Sequence, residues 1–237
     1  MSRRRRTWTI VAAVTVVLLV AAGVVFWWNF LRDDSPPPVA LSTSGGSSTS
    51  GAAAADARAS ADGDWQVAEG DSFAGYRVTE TFAGFGSPSD AVGRSPAVEG
   101  TLTVEGTSVP EAQLEVDMTQ LRSDTGARDA ALRGRGLETS EFPTATFRLT
   151  EPVDLGGEPT VGEAVEATAT GDLTLHGTTQ PVDIPIEAVW TGDRIEVVGS
   201  LELDMRDYGI EPPTTGSVVS IEPVGILEFQ LFFEPAA

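Results

Sequence analysis

Residues 182–190 read VDIPIEAVW, and this stretch decides the fold class of the chain. Apolar side chains occupy every second position, whereas Asp183 and Glu187 fall between them. Successive side chains of a β-strand point to opposite faces, so the alternation predicts a strand with one buried face. Pro185 lacks a backbone N–H, which predicts that this strand lies at an edge or at a bulge.

The same two-residue period recurs on both sides of this stretch and predicts seven or eight antiparallel strands. The alternating apolar residues of the other runs are Leu102 and Val104; Leu114 and Val116; Val165, Ala167, Ala169, Leu173 and Leu175; Ile195 and Val197; Leu201, Leu203 and Met205; and Leu227, Phe229, Leu231 and Phe233. Between them, Gln120 to Leu137 has no such period and reads as a short helix and loop, with Asp124 as its N-cap. The Gly-, Ser- and Pro-rich insert from Ala83 to Pro96 reads as a mobile surface loop or a lid.

Long alternating strands joined by tight turns favour a closed barrel or a sandwich, because closure removes exposed strand edges. A barrel of about eight strands has room for one small ligand. Several of the predicted inward side chains are slender, among them Val165, Ala169 and Ala188. Periodicity does not separate a packed core from a lined pocket, so both remain open at this point.

The N-terminal residues predict a membrane anchor. Residues 8–31 form an apolar run without charge, preceded by the basic tail 1–7 with its four arginines. About 20 apolar residues span a bilayer as a helix, and the positive-inside rule places the tail in the cytoplasm. The alternative is a cleaved signal peptide, with the small residues 21–23 near its cleavage site.

Composition divides the rest of the chain into a linker and one domain. Residues 32–63 are rich in Pro, Ser, Gly and Ala and predict a flexible, disordered tether without a role in chemistry. Residues 64–237 suit a single extracytoplasmic domain of a single-pass cell-membrane protein. From Asp62 onward, 9 arginines stand against 32 acidic residues, a net charge of −23, which argues against a nucleic-acid partner.

The sequence offers no catalytic centre, metal site or cofactor motif. The chain has no cysteine and one histidine, His176, which sits in a predicted tight turn. One histidine forms neither a His-rich zinc site nor a Ser-His-Asp triad. Acidic pairs such as Asp204 with Asp207 are expected by chance among so many carboxylates. We therefore expect a protein that is not an enzyme.

Six motifs, in order along the chain, resemble the YceI-like domain family. The most specific are GDLTLHGTTQPV at 171–182, similar to the family hairpin G-x-L-T-I-x-G-x-T-x-P-V, and FPTATF at 142–147, similar to its (Y/F)-P-x-x-x-F segment. The other four are WQV at 65–67, GTLTV at 100–104, Arg128 and Asp129 with Leu132, and DYGI at 207–210. Two histidines common in that family are absent, because the corresponding regions read EGDSF at 69–73 and YRVTETF at 76–82.

The resemblance implies an all-β fold, an extended eight-stranded antiparallel lipocalin-like barrel with a short helical segment. It also implies an isoprenoid-type lipid, a polyprenyl chain or a quinone, held in an apolar interior. The predicted lining residues are Phe142, Phe147, Leu173, Leu175, Ile184, Ile186, Trp190, Leu201, Leu203, Phe229 and Leu231. The alternative is a non-enzymatic protein-interaction module whose barrel is filled.

An arginine cluster precedes Phe142 in the helical segment: Arg122, Arg128, Arg133 and Arg135. One interpretation is that these arginines pair with nearby carboxylates and hold the loop. The other is that Arg133 or Arg135 contacts a phosphate headgroup at the barrel mouth, since a guanidinium fork matches phosphate oxygens.

Overall fold

The computed structural model describes residues 17, 19–21, 23, 35–42, 60–82, 88–213 and 218–236. The chain divides into two units, residues 1–35 and 36–237. In the first unit the few described residues between 17 and 23 are helical. Within the described part of the chain, no helix has the length and apolar character needed to cross a membrane. Most of the predicted span 8–31 lies outside the described residues, so the anchor stays a prediction.

The described part of the second unit is built mainly of antiparallel strands. In chain order they are β1 Gly63–Val67, β2 Phe73–Phe82, β3 Pro88–Ser95, β4 Val98–Glu105, β5 Ser108–Asp117, β6 Arg122–Ser123, β7 Thr144–Leu149, β8 Val153–Asp154, β9 Ala164–Leu175, β10 Thr178–Trp190, β11 Ile195–Asp204, β12 Val218–Ile221 and β13 Val224–Pro235. Among the described residues of this unit, an α-helix, α1, covers Gly126–Gly134, and short 3₁₀ helices cover Met118–Gln120 and Met205–Tyr208.

Eight of these strands close a ring in the order β1-β4-β5-β7-β9-β10-β11-β13, and β13 pairs again with β1. Along β13, residues 226–230 pair with β2 and residues 233–235 with β1, so β1 and β2 follow one another along the same side of β13. Strands β3 and β4 follow one another beside them, since β3 pairs with β2 and β4 with β1. The ring confirms the predicted closed all-β barrel of eight strands and excludes the sandwich.

The side-chain period of 182–190 is confirmed, but the inference from Pro185 is only partly right. Strand β10 lies between β9 and β11 and is not an edge of the barrel. Its pairing with β11 covers Ile186 to Trp190, whereas Pro185 pairs with Thr168 of β9. Proline is therefore placed just beyond the pairing with β11, where its missing N–H removes no recorded bond to that strand.

The prediction of a loop or lid over Ala83–Pro96 is wrong for residues 88–95, which form β3 and pair with β2. Composition misled because Gly93 is needed by packing. A Cβ on Gly93 would lie 2.4 Å from the ring of Tyr76, its partner across the two strands. Low strand propensity is overridden where a neighbouring ring takes the space of the side chain.

The N-cap of helix α1 lies one residue later than predicted. Its N-cap is Thr125, which makes no side-chain capping bond, and Asp124 pairs instead with Arg128. The β9–β10 hairpin is a two-residue turn in which His176 (φ 52°) and Gly177 (φ 72°) both have positive φ, as a type I′ turn requires. His176 is thus a turn residue, as the sequence predicts.

Candidate functional site: an apolar cavity inside the barrel

A cavity of about 230 Å³ lies inside the barrel. A single water molecule needs roughly 10–15 Å³, so the space is far larger than a packing defect. The side chains around it are overwhelmingly aliphatic or aromatic, and they come from strands on every side of the ring. The interior is therefore a lined pocket rather than the filled core that the alternative interpretation requires.

Small and slender side chains on β9, β10 and β11 leave this space open. Ala188 of β10 lies in register between Val165 of β9 and Val197 of β11, and all three line the cavity. Ala169 of β9 and its partner Ile184 continue the same wall. Closure of the ring fixes the distance between opposite walls, so side chains this short cannot meet across the centre.

The cavity is elongated along the strands. Leu227 and Phe233, six residues apart on β13, both line it, and six residues of strand extend about 20 Å. At one end it is bordered by Met118, Leu121 and Leu137 from the segments around α1. At the other end it is bordered by Leu155 and Pro159 from the loops beyond β8. The shape suits a long, narrow, apolar molecule.

In the part of the chain that the structure describes, few side chains with a polar group other than Trp190 reach the cavity wall: Tyr76, Thr146 and Glu163. No arginine is among the described residues that line it, and the chain contains no lysine. Burial raises the pKa of the Tyr76 phenol above its usual value, so the ring presents a neutral wall at physiological pH. An anionic group on a bound molecule would therefore have no cationic partner among these lining residues. A cationic group would have one possible partner, the carboxylate of Glu163.

Nine of the eleven predicted lining residues border the cavity: Phe147, Leu173, Leu175, Ile184, Ile186, Trp190, Leu203, Phe229 and Leu231. Leu201 does not. It packs against the hydrophobic core beside its cross-strand partner Leu227, which does line the cavity. Contact of any of these side chains with a ligand stays a prediction.

Phe142 also lies away from the cavity. Its ring packs against His176, with centroids 4.3 Å apart, at the turn between β9 and β10. The same imidazole contacts Glu138 Oε2 at 3.0 Å and the Tyr208 carbonyl oxygen at 3.1 Å through its two nitrogens. His176 and Phe142 therefore join the segment after α1 to the end of the barrel and have a structural role.

The arginines of the cluster differ in which of the two interpretations, carboxylate pairing or headgroup contact, they fit. Arg128 is held by Glu80 at 2.8 Å and by Asp124, which fits the pairing interpretation. Burial alone would lower the pKa of Arg128, but the hydrogen bond and charge of Glu80 outweigh it and raise the pKa, so the guanidinium stays charged. Arg133 and Arg135 are exposed at the end of α1 and do not line the cavity. Their headgroup role stays a prediction.

Part of the wall was not named in advance. Strand β5 contributes Ala112, Leu114 and Val116, and the segment after α1 contributes Leu137. The alternation of β5 carried a usable signal, because Leu114 and Val116 already defined one of its faces. Leu137 has no such sequence signal, because it lies in a loop that only tertiary packing brings to the end of the barrel.

The family model of the YceI-like domain matches residues 65–231, which is well over half of the chain. The chain belongs to the YceI-like domain family. Its YceI-like domain thus includes all eight strands of the ring and the cavity between them, apart from the outermost residues of β1 and β13. The resemblance read from the six motifs is confirmed.

The YceI-like domain is also similar to curated proteins and to a solved structure. A UPF0312 protein of Vibrio parahaemolyticus is 31% identical, with 55% of this chain and 70% of that protein covered. A UPF0312 protein of Vibrio cholerae is 34% identical, and this chain spans only 58% of its length. A polyisoprenoid binding domain from Saccharophagus degradans, implicated in plant cell wall breakdown, has a TM-score of 0.58 at 20% identity. The match covers 73% of this chain and 98% of that structure, and shows a shared fold.

Proposed function

We propose that this chain is a membrane-anchored, extracytoplasmic protein that binds an isoprenoid-type lipid, a polyprenyl chain or a quinone, and catalyses no reaction. The observation that carries the proposal is the elongated apolar cavity inside the barrel. A prenyl chain gains about 25 cal/mol for each Å² of apolar surface removed from water, and a narrow apolar tube removes nearly all of that surface. The solved relative of Saccharophagus degradans, described as a polyisoprenoid binding domain, supports the same ligand class.

The cavity also bears on the position of the ligand's polar end. Because no arginine borders the cavity among the described residues, a phosphate group buried there would lack a cationic partner. The hydrocarbon tail is expected inside. A neutral quinone ring can follow it, whereas a phosphate belongs outside, where the exposed Arg133 and Arg135 lie only a few residues from the cavity-lining Leu137.

The open interior disfavours the filled interaction module. Membrane attachment through residues 8–31, with the domain outside the cytoplasm, is supported by the apolar run and the four arginines before it. Such a location would place the cavity where membrane isoprenoids are available.

The experiment that tests ligand binding is native mass spectrometry of the full chain, extracted gently from the membranes of its own host. Solvent extraction and identification of the bound molecules would follow. A near-stoichiometric isoprenoid supports the proposal. A ligand-free mass that persists after incubation with quinones and prenyl phosphates overturns it. The mass of the protein also shows whether residues 1–31 are retained.

The headgroup role of Arg133 and Arg135 has a separate test. Replacing both by Gln should weaken binding of a prenyl phosphate while leaving binding of a quinone unchanged, because only the phosphate pairs with a guanidinium. Arg148→Gln is the matched control, since Arg148 is an exposed arginine of β7 outside the cavity. Unchanged affinity of the double variant for the prenyl phosphate would remove these residues from the site.

A further inference from the structure

Residues 36–42, here named the strap, lie in the predicted linker but are packed against the outer wall of the barrel. Their contacts come from β2, β3, β10, β11 and β13, and all of these strands except β3 also contribute side chains to the cavity lining. Along β13, Phe229 and Leu231 line the cavity, so Glu228 and Gln230 point outward. The strap binds this outward surface, which is formed by β2, β3, β10, β11 and β13.

The first half of the strap is held by guanidinium groups. Arg77 Nη2 donates to the Pro36 carbonyl oxygen at 2.7 Å, and Arg94 Nη2 donates to that of Pro37 at 3.4 Å. Both arginines are fixed by Glu228, at 3.3 Å and 2.8 Å. A run of prolines offers carbonyl acceptors without backbone N–H donors. Guanidinium N–H groups, which donate, therefore suit it.

The second half is held by a carboxylate and an apolar contact. Glu196 Oε1, on a side chain that is 3% exposed, accepts from both the Ser42 backbone N–H at 2.8 Å and its hydroxyl at 2.7 Å. Leu41 is 6% exposed and forms a small cluster with Val189 and Val198, separate from the barrel core. The buried carboxylate of Glu196 is hydrogen-bonded to the strap, and the buried Leu41 packs in an apolar cluster. The contact is therefore a specific docking interaction.

We propose that docking of the strap holds the barrel on a short tether beside the membrane. Undocked, the 32 residues of 32–63 behave as a coil with an end-to-end distance of about 30 Å. Docked, only residues 32–35 separate the predicted membrane span from the barrel wall, and four residues reach at most about 14 Å. The shorter distance serves a protein that takes an apolar ligand from a bilayer; this consequence rests on the proposed function.

The test uses the full chain in lipid nanodiscs and two readouts. The first is hydrogen exchange of the strap amides, above all that of Ser42. The second is energy transfer from a dye on a single introduced cysteine, E158C, to dye-labelled lipid. The chain has no other cysteine, and Glu158 is exposed in the loop before β9, so the label is unique and accessible. Leu41→Asp should release the strap, because it places a charge in the apolar cluster.

The matched control is Val161→Asp, which makes a similar change at a side chain that is already 52% exposed. We expect slow exchange of the Ser42 amide in the parent chain and in the control, and exchange at least about ten-fold faster in Leu41→Asp. Energy transfer to the lipid should fall only in Leu41→Asp. Rapid exchange in the parent chain overturns the docking, and unchanged energy transfer in Leu41→Asp overturns the tether.

The outcome is separable from that of the proposed function. The strap lies outside the barrel, so Leu41→Asp should retain any lipid that the parent chain binds. A parent chain with a protected strap and no lipid would refute the proposed ligand and leave the docking intact.

Discussion

Replacing Ala188 by Phe should weaken binding of an isoprenoid by roughly 30- to 700-fold. Ala188 lies on the cavity wall, in register between Val165 and Val197. A phenyl group is about the size of one isoprene unit, so the variant displaces about one unit from a cavity of about 230 Å³. At about 0.8 kcal/mol for each of about five carbons, the loss is about 4 kcal/mol, or about 2 kcal/mol if the displaced unit stays half covered.

The assay uses the fluorescence of Trp190, which lines the cavity two residues beyond Ala188. All variants carry Phe in place of Trp8, Trp27 and Trp28, so that the other remaining indole is that of Trp65, which does not line the cavity. A benzoquinone with a short isoprenoid tail serves as the probe, because a quinone bound inside the barrel quenches a nearby indole. Titration of the probe into the detergent-solubilised full chain gives the dissociation constant. Far-UV circular dichroism checks that each variant is folded.

The control is Ala127→Phe, which adds the same group at an exposed position of α1 that does not line the cavity. Its dissociation constant should match that of the parent chain. If Ala188→Phe is folded and binds the probe as tightly as Ala127→Phe does, the ligand does not occupy this cavity, and the reasoning from its lining is refuted.

Two further predictions concern buried polar groups. Glu228 is 1% exposed and holds both Arg77 and Arg94. Glu228→Gln should lower the free energy of unfolding by about 3–5 kcal/mol in urea denaturation, because two guanidinium groups lose their shared counter-charge. A loss below about 1 kcal/mol would contradict this. Burial raises the pKa of both tyrosines, Tyr76 and Tyr208, so the folded barrel keeps them neutral while the unfolded chain ionises near pH 10. Their contribution to stability is therefore complete below about pH 10 and declines above it, and an alkaline titration followed by tyrosinate absorbance should show no ionisation before unfolding begins.

The alternation in 182–190 is enough to predict a strand and its inward face, because each strand of a closed barrel has one face toward the interior and one toward the outside. Ile184, Ile186 and Trp190 border the cavity as that pattern predicts. The pattern says nothing about how far each side chain reaches. Leu201 therefore carries the same signal as Leu203 and yet packs within the wall.

Contacts between segments that are far apart in the chain could not be predicted from the sequence. The motif around Phe142 predicts a lining residue, but the ring packs against His176, 34 positions later, at the end of the barrel. The composition of residues 36–42 is that of a linker and predicts a tether. Its docking depends on Glu196 and Gln230, which lie more than 150 positions away and come together only when the ring closes.

The size of the cavity itself argues for a ligand. An unfilled apolar cavity costs about 24 cal/mol for each Å³, so about 230 Å³ forgoes about 5 kcal/mol of packing energy. A typical domain is stable by only about 5–15 kcal/mol, so a cost of this size is a substantial fraction of the whole. A bound lipid tail restores those contacts and stabilises the folded state. Ala188→Phe should then have two effects of opposite sign, because the side chain that excludes the ligand also fills part of the empty barrel. The ligand-free variant should unfold at a higher temperature than the ligand-free parent, and addition of an isoprenoid should stabilise the parent more than the variant.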